Sequence, residues 1–171
     1  MPELPEVETI VQGLRTSLVG RVITGAEVRW ARSVVPPDPA AFVRRLTGQT
    51  VATVGRRGKW IVIGLSGGGA LLIHLRMTGR LALEKGKCTD DRHLRVQLSL
   101  DDGRSLRFYD PRKFGRLRLV DDPAAELSDL GPEPLADDFT AARLENMLAR
   151  RRGRIKPLLL NQRFLAGLGN I

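Results

Sequence analysis

Leu94-Arg95-Val96-Gln97-Leu98-Ser99-Leu100 alternates apolar and polar side chains without a break. A period of two sends every second side chain to the same face of a strand, so residues 94, 96, 98 and 100 share one buried face. Working outward, Leu106/Phe108 and Leu117/Leu119 repeat the alternation. Upstream, residues 60–65 and 70–75 are short apolar runs joined by Ser66-Gly67-Gly68-Gly69. That glycine cluster reads as a hairpin turn, because a phosphate-binding loop would lead into a helix and a strand follows here. Short strands separated by tight turns predict antiparallel sheets with one buried face, a β-sandwich or barrel.

Helices flank this region. Pro5 suits the first turn of a helix, and Glu6 and Glu8 complement its dipole. Val7, Ile10, Val11, Leu14 and Leu18 follow at helical spacing, and Gly20 stops it. A second short helix is predicted from Pro39 to Leu46, ending near Gly48. Further on, Thr140 caps a predicted helix over residues 140–150, with Leu144, Met147 and Leu148 on one face. Residues 158–160, Phe164, Leu165 and Leu168 form another apolar set. The fold class is therefore α+β, an antiparallel β-sandwich with flanking helices.

Charge divides the 171 residues into three blocks. The chain carries 28 Lys+Arg against 19 Asp+Glu, a net charge of +9. Residues 1–120 hold +10 and residues 139–171 hold +6. Residues 121–138 hold seven acids, no base, and Pro123, Pro132 and Pro134, and read as an acidic linker between two basic units. The basic excess points to a polyanion, most often nucleic acid. Aromatic residues are only 5%, too few for the stacking platforms of an RNA-binding sheet. No apolar run is long enough to span a bilayer and the acidic Met-Pro-Glu-Leu-Pro-Glu start is no secretory signal, so no membrane and a cytoplasmic location are expected. Cys88 is the single cysteine, which excludes an intrachain disulfide and a cysteine-rich metal site within these residues.

Several segments can carry chemistry. If Met1 is removed, Pro2 offers a secondary amine. With a pKa of about 8, roughly 10% of such an amine is neutral at pH 7, against well under about 0.1% for lysine. It can attack an electrophilic carbon and form an iminium. Glu3 lies beside it as a proton donor, and Glu6 can position the pair or simply compensate the helix dipole. Lys59, in Arg56-Arg57-Gly58-Lys59-Trp60, is either a solvated charge at a strand start or a proton-transfer group. His74-Leu75-Arg76-Met77-Thr78-Gly79 ends a strand in a turn, with Met77 either a core-edge residue or an apolar wedge and His74 near a phosphate. Asp110-Pro111-Arg112-Lys113-Phe114-Gly115 is a turn with two cations and an aromatic, side chains of the kind that unstack a duplex.

Together with Ile155-Lys156-Pro157 and Gly167-Leu168-Gly169-Asn170-Ile171, these segments closely resemble, in order and over the whole chain, the bacterial formamidopyrimidine-DNA glycosylase family of DNA glycosylases and abasic-site lyases. Leu4 favours this purine-lesion branch over the related endonuclease VIII branch, which typically begins Met-Pro-Glu-Gly-Pro-Glu. The resemblance implies three units, a catalytic β-sandwich domain at 1–120, the linker at 121–138, and the start of a helix–two-turn–helix DNA-binding domain at 139–171. It implies excision of oxidised purines, 8-oxoguanine and formamidopyrimidines, from double-stranded DNA by a monomer that flips the lesion out. Cleavage at the abasic site by β-elimination follows.

By the same resemblance Pro2 forms the Schiff base at C1′, Glu3 donates a proton and Lys59 is the proton donor of the elimination. Met77, Arg112 and Phe114 fill the void left by the flipped nucleotide, Arg112 facing the orphaned cytosine. His74, His93, Arg151, Lys156 and Asn170 fall at or near backbone-contacting positions. The family continues past Asn-Ile into a four-cysteine zinc finger that is absent here, so the expectation is a truncated chain with no cofactor of its own, an intact catalytic N terminus and a weakened grip on DNA. The competing expectation is a non-catalytic DNA-binding module on the same fold.

Overall fold

A computed structural model describes residues 2–36, 38–88 and 92–170. Met1, whose removal the proline chemistry requires, and Ile171, the last residue of the Gly-Leu-Gly-Asn-Ile run, lie outside them. The chain opens with α1 (Leu4–Leu18), followed by β1 (Ile23–Val28), a 3-10 turn at Ala31–Ser33, β2 (Val34–Val35) and α2 (Pro39–Leu46). Seven strands come next, namely β3 (Val51–Arg57), β4 (Trp60–Leu65), β5 (Ala70–His74), β6 (Arg80–Lys85), β7 (Leu94–Leu100), β8 (Arg104–Tyr109) and β9 (Arg116–Val120). Three short helices finish the chain: α3 (Pro123–Glu126), α4 (Ala141–Ala149) and α5 (Ile155–Leu160).

The strands form two sheets, ordered β1-β7-β8-β6 and β2-β9-β5-β4-β3. All pairings are antiparallel except that of β2 with β9, so the second sheet is mixed at one edge. The alternation of β7 is realised from Val96 onward, with Val96, Leu98 and Leu100 in the core beside Leu106 and Phe108 of β8. A register shift at Leu94/Val96 leaves Leu94 outside that cluster and Arg95, next to it in sequence, buried. The second sheet answers with Ile61, Ile63, Leu71, Ile73 and Leu117, and α1 adds Val7, Val11, Leu14 and Leu18. Each such fully buried aliphatic side chain contributes about 1.5–3 kcal/mol, so this shared layer holds the two sheets together.

The expectation of one buried face per sheet is corrected at β5. Ala70 to Ile73 are all buried, and Ala70 and Leu72 pack outward against Leu127, with Trp60, Val62, Val120 and Leu130 around them. The cover comes from residues 121–130. Asp122 caps α3 by accepting from the Ala124 and Ala125 amides, which turns the chain back over the sheet and sets Leu127 down on it.

Beyond α3 the chain stays attached. Glu133 accepts hydrogen bonds from the Gly58 amide at 2.8 Å and from Arg56 and Arg57. Arg57 also donates to the Leu130 and Gly131 carbonyls at 2.9 and 2.6 Å. The Gly131 amide donates to the Gln162 carbonyl and the Ala166 amide to the Pro132 carbonyl. Residues 130–133 thus strap the C-terminal segment to the β3–β4 turn.

Candidate active site

The N terminus of α1 is built by a reciprocal cap. The Glu3 side chain accepts from the Glu6 amide, and the Glu6 carboxylate accepts from the Glu3 amide at 3.0 Å. Two of the amides that a helix start leaves unpaired are thereby satisfied, and the direction of residues 2 and 3 is set. Glu6 therefore acts on Glu3 through the cap. Glu3 is buried, 3% exposed, and its carboxylate forms an ion pair with Lys59.

Lys59 is held as firmly from its own side. Gly58 and Lys59 form a two-residue hairpin turn between β3 and β4, with Gly58 in the left-handed region at φ 56°. A Cβ at position 58 would touch Ala166, Leu130 and Gly167, so the turn sits between the strap and the C-terminal segment. The same segment closes over α1. A Cβ at Gly167 would fall 2.3 Å from Leu4 Cδ1, and one at Gly169 1.4 Å from Glu3 Oε2. Both positions call for glycine because the Leu4 and Glu3 side chains occupy the space a Cβ would fill, and Asn170 follows directly.

Lys59, His74, Arg76, Met77, Phe114, Arg116, Leu160 and Gln162 line one groove of about 610 Å³. His74 packs edge-on against Trp60, with ring centroids 4.8 Å apart, and its Nδ1 accepts from the Arg76 amide at 3.1 Å. Burial, aided by the nearby Arg76 and Lys59 cations, pushes its pKa down to about 4. With Nδ1 accepting, the neutral ring carries its proton on Nε2 and can donate to an anion without itself being charged.

The three residues expected as wedges come together. Met77 and Phe114 are exposed at 46% each, and Arg112 bridges them. Its guanidinium lies 3.3 Å from the Met77 sulfur and 4.8 Å from the Phe114 ring centroid. Beside them Lys113, the second cation of that turn, has its ammonium 4.1 Å from the Trp30 ring, an indole that sequence reasoning did not single out.

The other expected contact residues are more dispersed. His93 sits at the edge of this loop cluster, its carbonyl accepting from the Asp110 amide at 2.9 Å. Arg151 is exposed over the Phe164 ring, 5.6 Å away, in a separate groove of about 820 Å³ with Arg143, Arg150 and Arg163. Lys156 is exposed on α5 and Asn170 is exposed after the glycines. Asp110, Glu133 and Gly169 are organising residues that sequence reasoning passed over. The Asp-Pro pair signalled a turn at Asp110, whereas Glu133 gave no local signal, its partner Gly58 being 75 residues away.

The zinc site implied for the family has no counterpart among the described residues, where no three His, Cys, Asp or Glu side chains are placed to hold a metal. Cys88 instead lies 3.4 Å from the Tyr109 hydroxyl. Among the described residues no helix is long and apolar enough to cross a membrane.

A two-sheet sandwich with a helical unit folded back over a proline–glutamate N terminus is the architecture of the β-sandwich class of DNA glycosylases. Residues 1–117 match the model of the formamidopyrimidine-DNA glycosylase N-terminal domain, and residues 130–171 that of the formamidopyrimidine-DNA glycosylase H2TH domain. The chain belongs to the formamidopyrimidine-DNA glycosylase family. It is 47% identical to the formamidopyrimidine-DNA glycosylase of Chloroflexus aggregans and 42% identical to that of Bacillus subtilis, over 100% of its own length and 63% of theirs. Among solved structures it is similar to the Lactococcus lactis enzyme bound to DNA containing an abasic site. That match has a TM-score of 0.89 and 32% identity, covering 99% of this chain and 66% of the other. The chain thus spans just under two thirds of the length of these relatives.

Proposed function

We propose that this chain is a base-excision-repair DNA glycosylase that removes oxidised purines, 8-oxoguanine and formamidopyrimidines, through a Pro2 Schiff base and then cleaves the abasic strand. The observation that carries this reading is the buried Glu3–Lys59 pair, one residue from Pro2 and at the edge of the groove that Met77 and Phe114 overhang. The Lactococcus lactis relative is solved with abasic-site DNA and, as a mutant, with DNA containing a formamidopyrimidine lesion. Double-stranded DNA with such lesions is the substrate this reading assigns, bound by a cytoplasmic monomer.

The steps follow from the groups present. The Pro2 nitrogen lone pair bonds to C1′ as the bond from C1′ to the base nitrogen breaks, and the base leaves with a proton. The Glu3 carboxylate takes the N–H proton that Pro2 sheds on forming the bond to C1′. The freed nitrogen lone pair then expels the C1′–O4′ electron pair onto O4′, which receives that proton from Glu3 and leaves an iminium between Pro2 and C1′. The iminium acidifies the C2′ hydrogen. Removal of that proton and expulsion of the 3′ phosphate complete β-elimination, with Lys59 moving the proton. Met77, Arg112 and Phe114 occupy the space vacated by the everted nucleotide. His74 donates to a backbone phosphate as a neutral imidazole, while His93, Arg151, Lys156 and Asn170 supply further backbone contacts.

The test is borohydride trapping of the full chain on duplexes carrying an abasic site or 8-oxoguanine opposite cytosine, with a longer family member as control. A covalent adduct that is lost when the N-terminal amine is acetylated supports the reading. Binding to the same duplexes with no adduct, where the control traps, would make the chain a non-catalytic DNA-binding module.

A further inference from the structure

Asp110 is the most enclosed carboxylate in the described molecule, with no exposed surface, and the chemistry above does not use it. Its side chain makes three hydrogen bonds, all to the two loops that carry Met77, Arg112 and Phe114. Oδ1 accepts from the Thr78 hydroxyl in the β5–β6 loop and from the Arg112 amide at 3.2 Å in the β8–β9 loop. Oδ2 accepts from the Gly115 amide at 2.7 Å. The Asp110 carbonyl is engaged as well, by Arg95 Nε at 2.8 Å and the Lys113 amide at 3.3 Å.

Each loop tip also holds a non-glycine residue in the left-handed region, Arg76 at φ 57° and Lys113 at φ 61°. Such conformations persist only where the surroundings over-determine them. The loops are 32 residues apart in sequence at Thr78 and Asp110, and this carboxylate is the atom group on which donors from both converge.

We propose that Asp110 is a positioning residue that locks the two wedge loops into one rigid unit, so that Met77, Arg112 and Phe114 enter the duplex together. The proposal rests on reading those three as wedge residues. All three groups facing the carboxylate are donors. An asparagine must therefore turn its NH2 group either toward the Gly115 amide or toward the Arg112 amide, and one contact becomes donor against donor. Asp110→Asn is nearly isosteric, so the core is preserved while the lock is broken.

Two readouts test this on the full chain. The first is single-turnover borohydride trapping on 8-oxoguanine in a duplex, relative to trapping on an abasic site in single-stranded DNA, which needs no wedge. D110N is expected to lower this duplex-to-single-strand ratio by about tenfold, the scale of a lost buried hydrogen bond. The second is amide hydrogen exchange in the free protein, which needs no activity. In D110N the Arg112 and Gly115 amides exchange about tenfold faster while the amides of β4, β5 and β7 are unchanged. Thr78→Val, which removes only the donor from the first loop, lowers the trapping ratio but leaves Gly115 protected.

If the wild-type chain traps neither substrate, the glycosylase reading fails and the exchange data still decide the lock. Unchanged Arg112 and Gly115 exchange in D110N would overturn the proposal. So would a uniform loss of protection across the sheets with both substrates slowed alike, since that is a general folding role.

Discussion

Gly169 presses against the Glu3 carboxylate so closely that a methyl group on it would stand 1.4 Å from Oε2. The C-terminal helical unit therefore forms one wall of the N-terminal site, and a side chain at 169 must displace either the carboxylate or the backbone that leads into Asn170. Gly169→Ala is expected to slow Schiff-base trapping by at least about tenfold and to cost about 1–3 kcal/mol of stability. A trapping time course beside a denaturant melt checks both, and an unchanged rate would show that Glu3 is not held by this contact.

The Glu3–Lys59 pair is shielded, with side chains 4% and 11% exposed. Lys59→Met leaves the Glu3 carboxylate buried without its cation, and the expected loss is about 3 kcal/mol. Adding Glu3→Gln to that background removes the stranded charge and recovers part of the loss. Urea unfolding of the two single variants and the double variant gives the coupling directly. A fully additive double variant would mean the two groups do not interact.

Arg56 is the hinge of a second network. Its guanidinium, 5% exposed, lies between Glu8 of α1 and Glu133 of the strap. Glu133→Ala leaves Arg56 half-paired and the Gly58 amide without its acceptor, and should cost about 2–4 kcal/mol. Hydrogen exchange at residues 130–133 and at the 58–59 turn should accelerate together. The hydrogen bond from Arg56 holds Glu8 below its ordinary value of 4.5 against the opposing effect of burial. That stability is present above the ordinary value and fades as pH falls through the lowered one, so Glu8→Gln should flatten the acid limb of the stability curve.

His74 adds an acid sensitivity of the same sign over a higher pH window. Folded, it is held neutral down to a pKa of about 4; unfolded, it takes a proton near its ordinary 6.5. Between those values the unfolded state binds the extra proton, so stability is level above about 6.5 and declines as pH falls toward 4, by about 3 kcal/mol over that window. Thermal melts from pH 8 to pH 4 should show this decline, and His74→Gln should remove it. A decline that persists unchanged in the variant would assign it to other groups.

Much of this architecture is legible along the chain because it is periodic. Val7, Val11, Leu14 and Leu18 mark α1, and the alternation at 94–100 marks a strand of the sandwich. The strands β1 and β3 do not stand out, because burial does not alternate along either of them. Four consecutive buried residues in β5 depend on the cover supplied by Leu127, some fifty residues later, which no local pattern announces. At the site, the side-chain types were visible at Pro2, Glu3, Lys59, Met77, Arg112 and Phe114. The groups that hold them were not, because Asp110, Glu133 and Gly169 act through contacts formed only when distant loops meet.

The most direct measurement is the position of the covalent bond. The full chain is incubated with an abasic-site duplex and borohydride, the adduct is digested, and the modified peptide is sequenced by mass spectrometry. The account predicts a sugar remnant on the nitrogen of Pro2, with Met1 removed and Lys59 unmodified. An adduct on Lys59 or any other lysine, or an N terminus that retains Met1 in the trapped species, would contradict it.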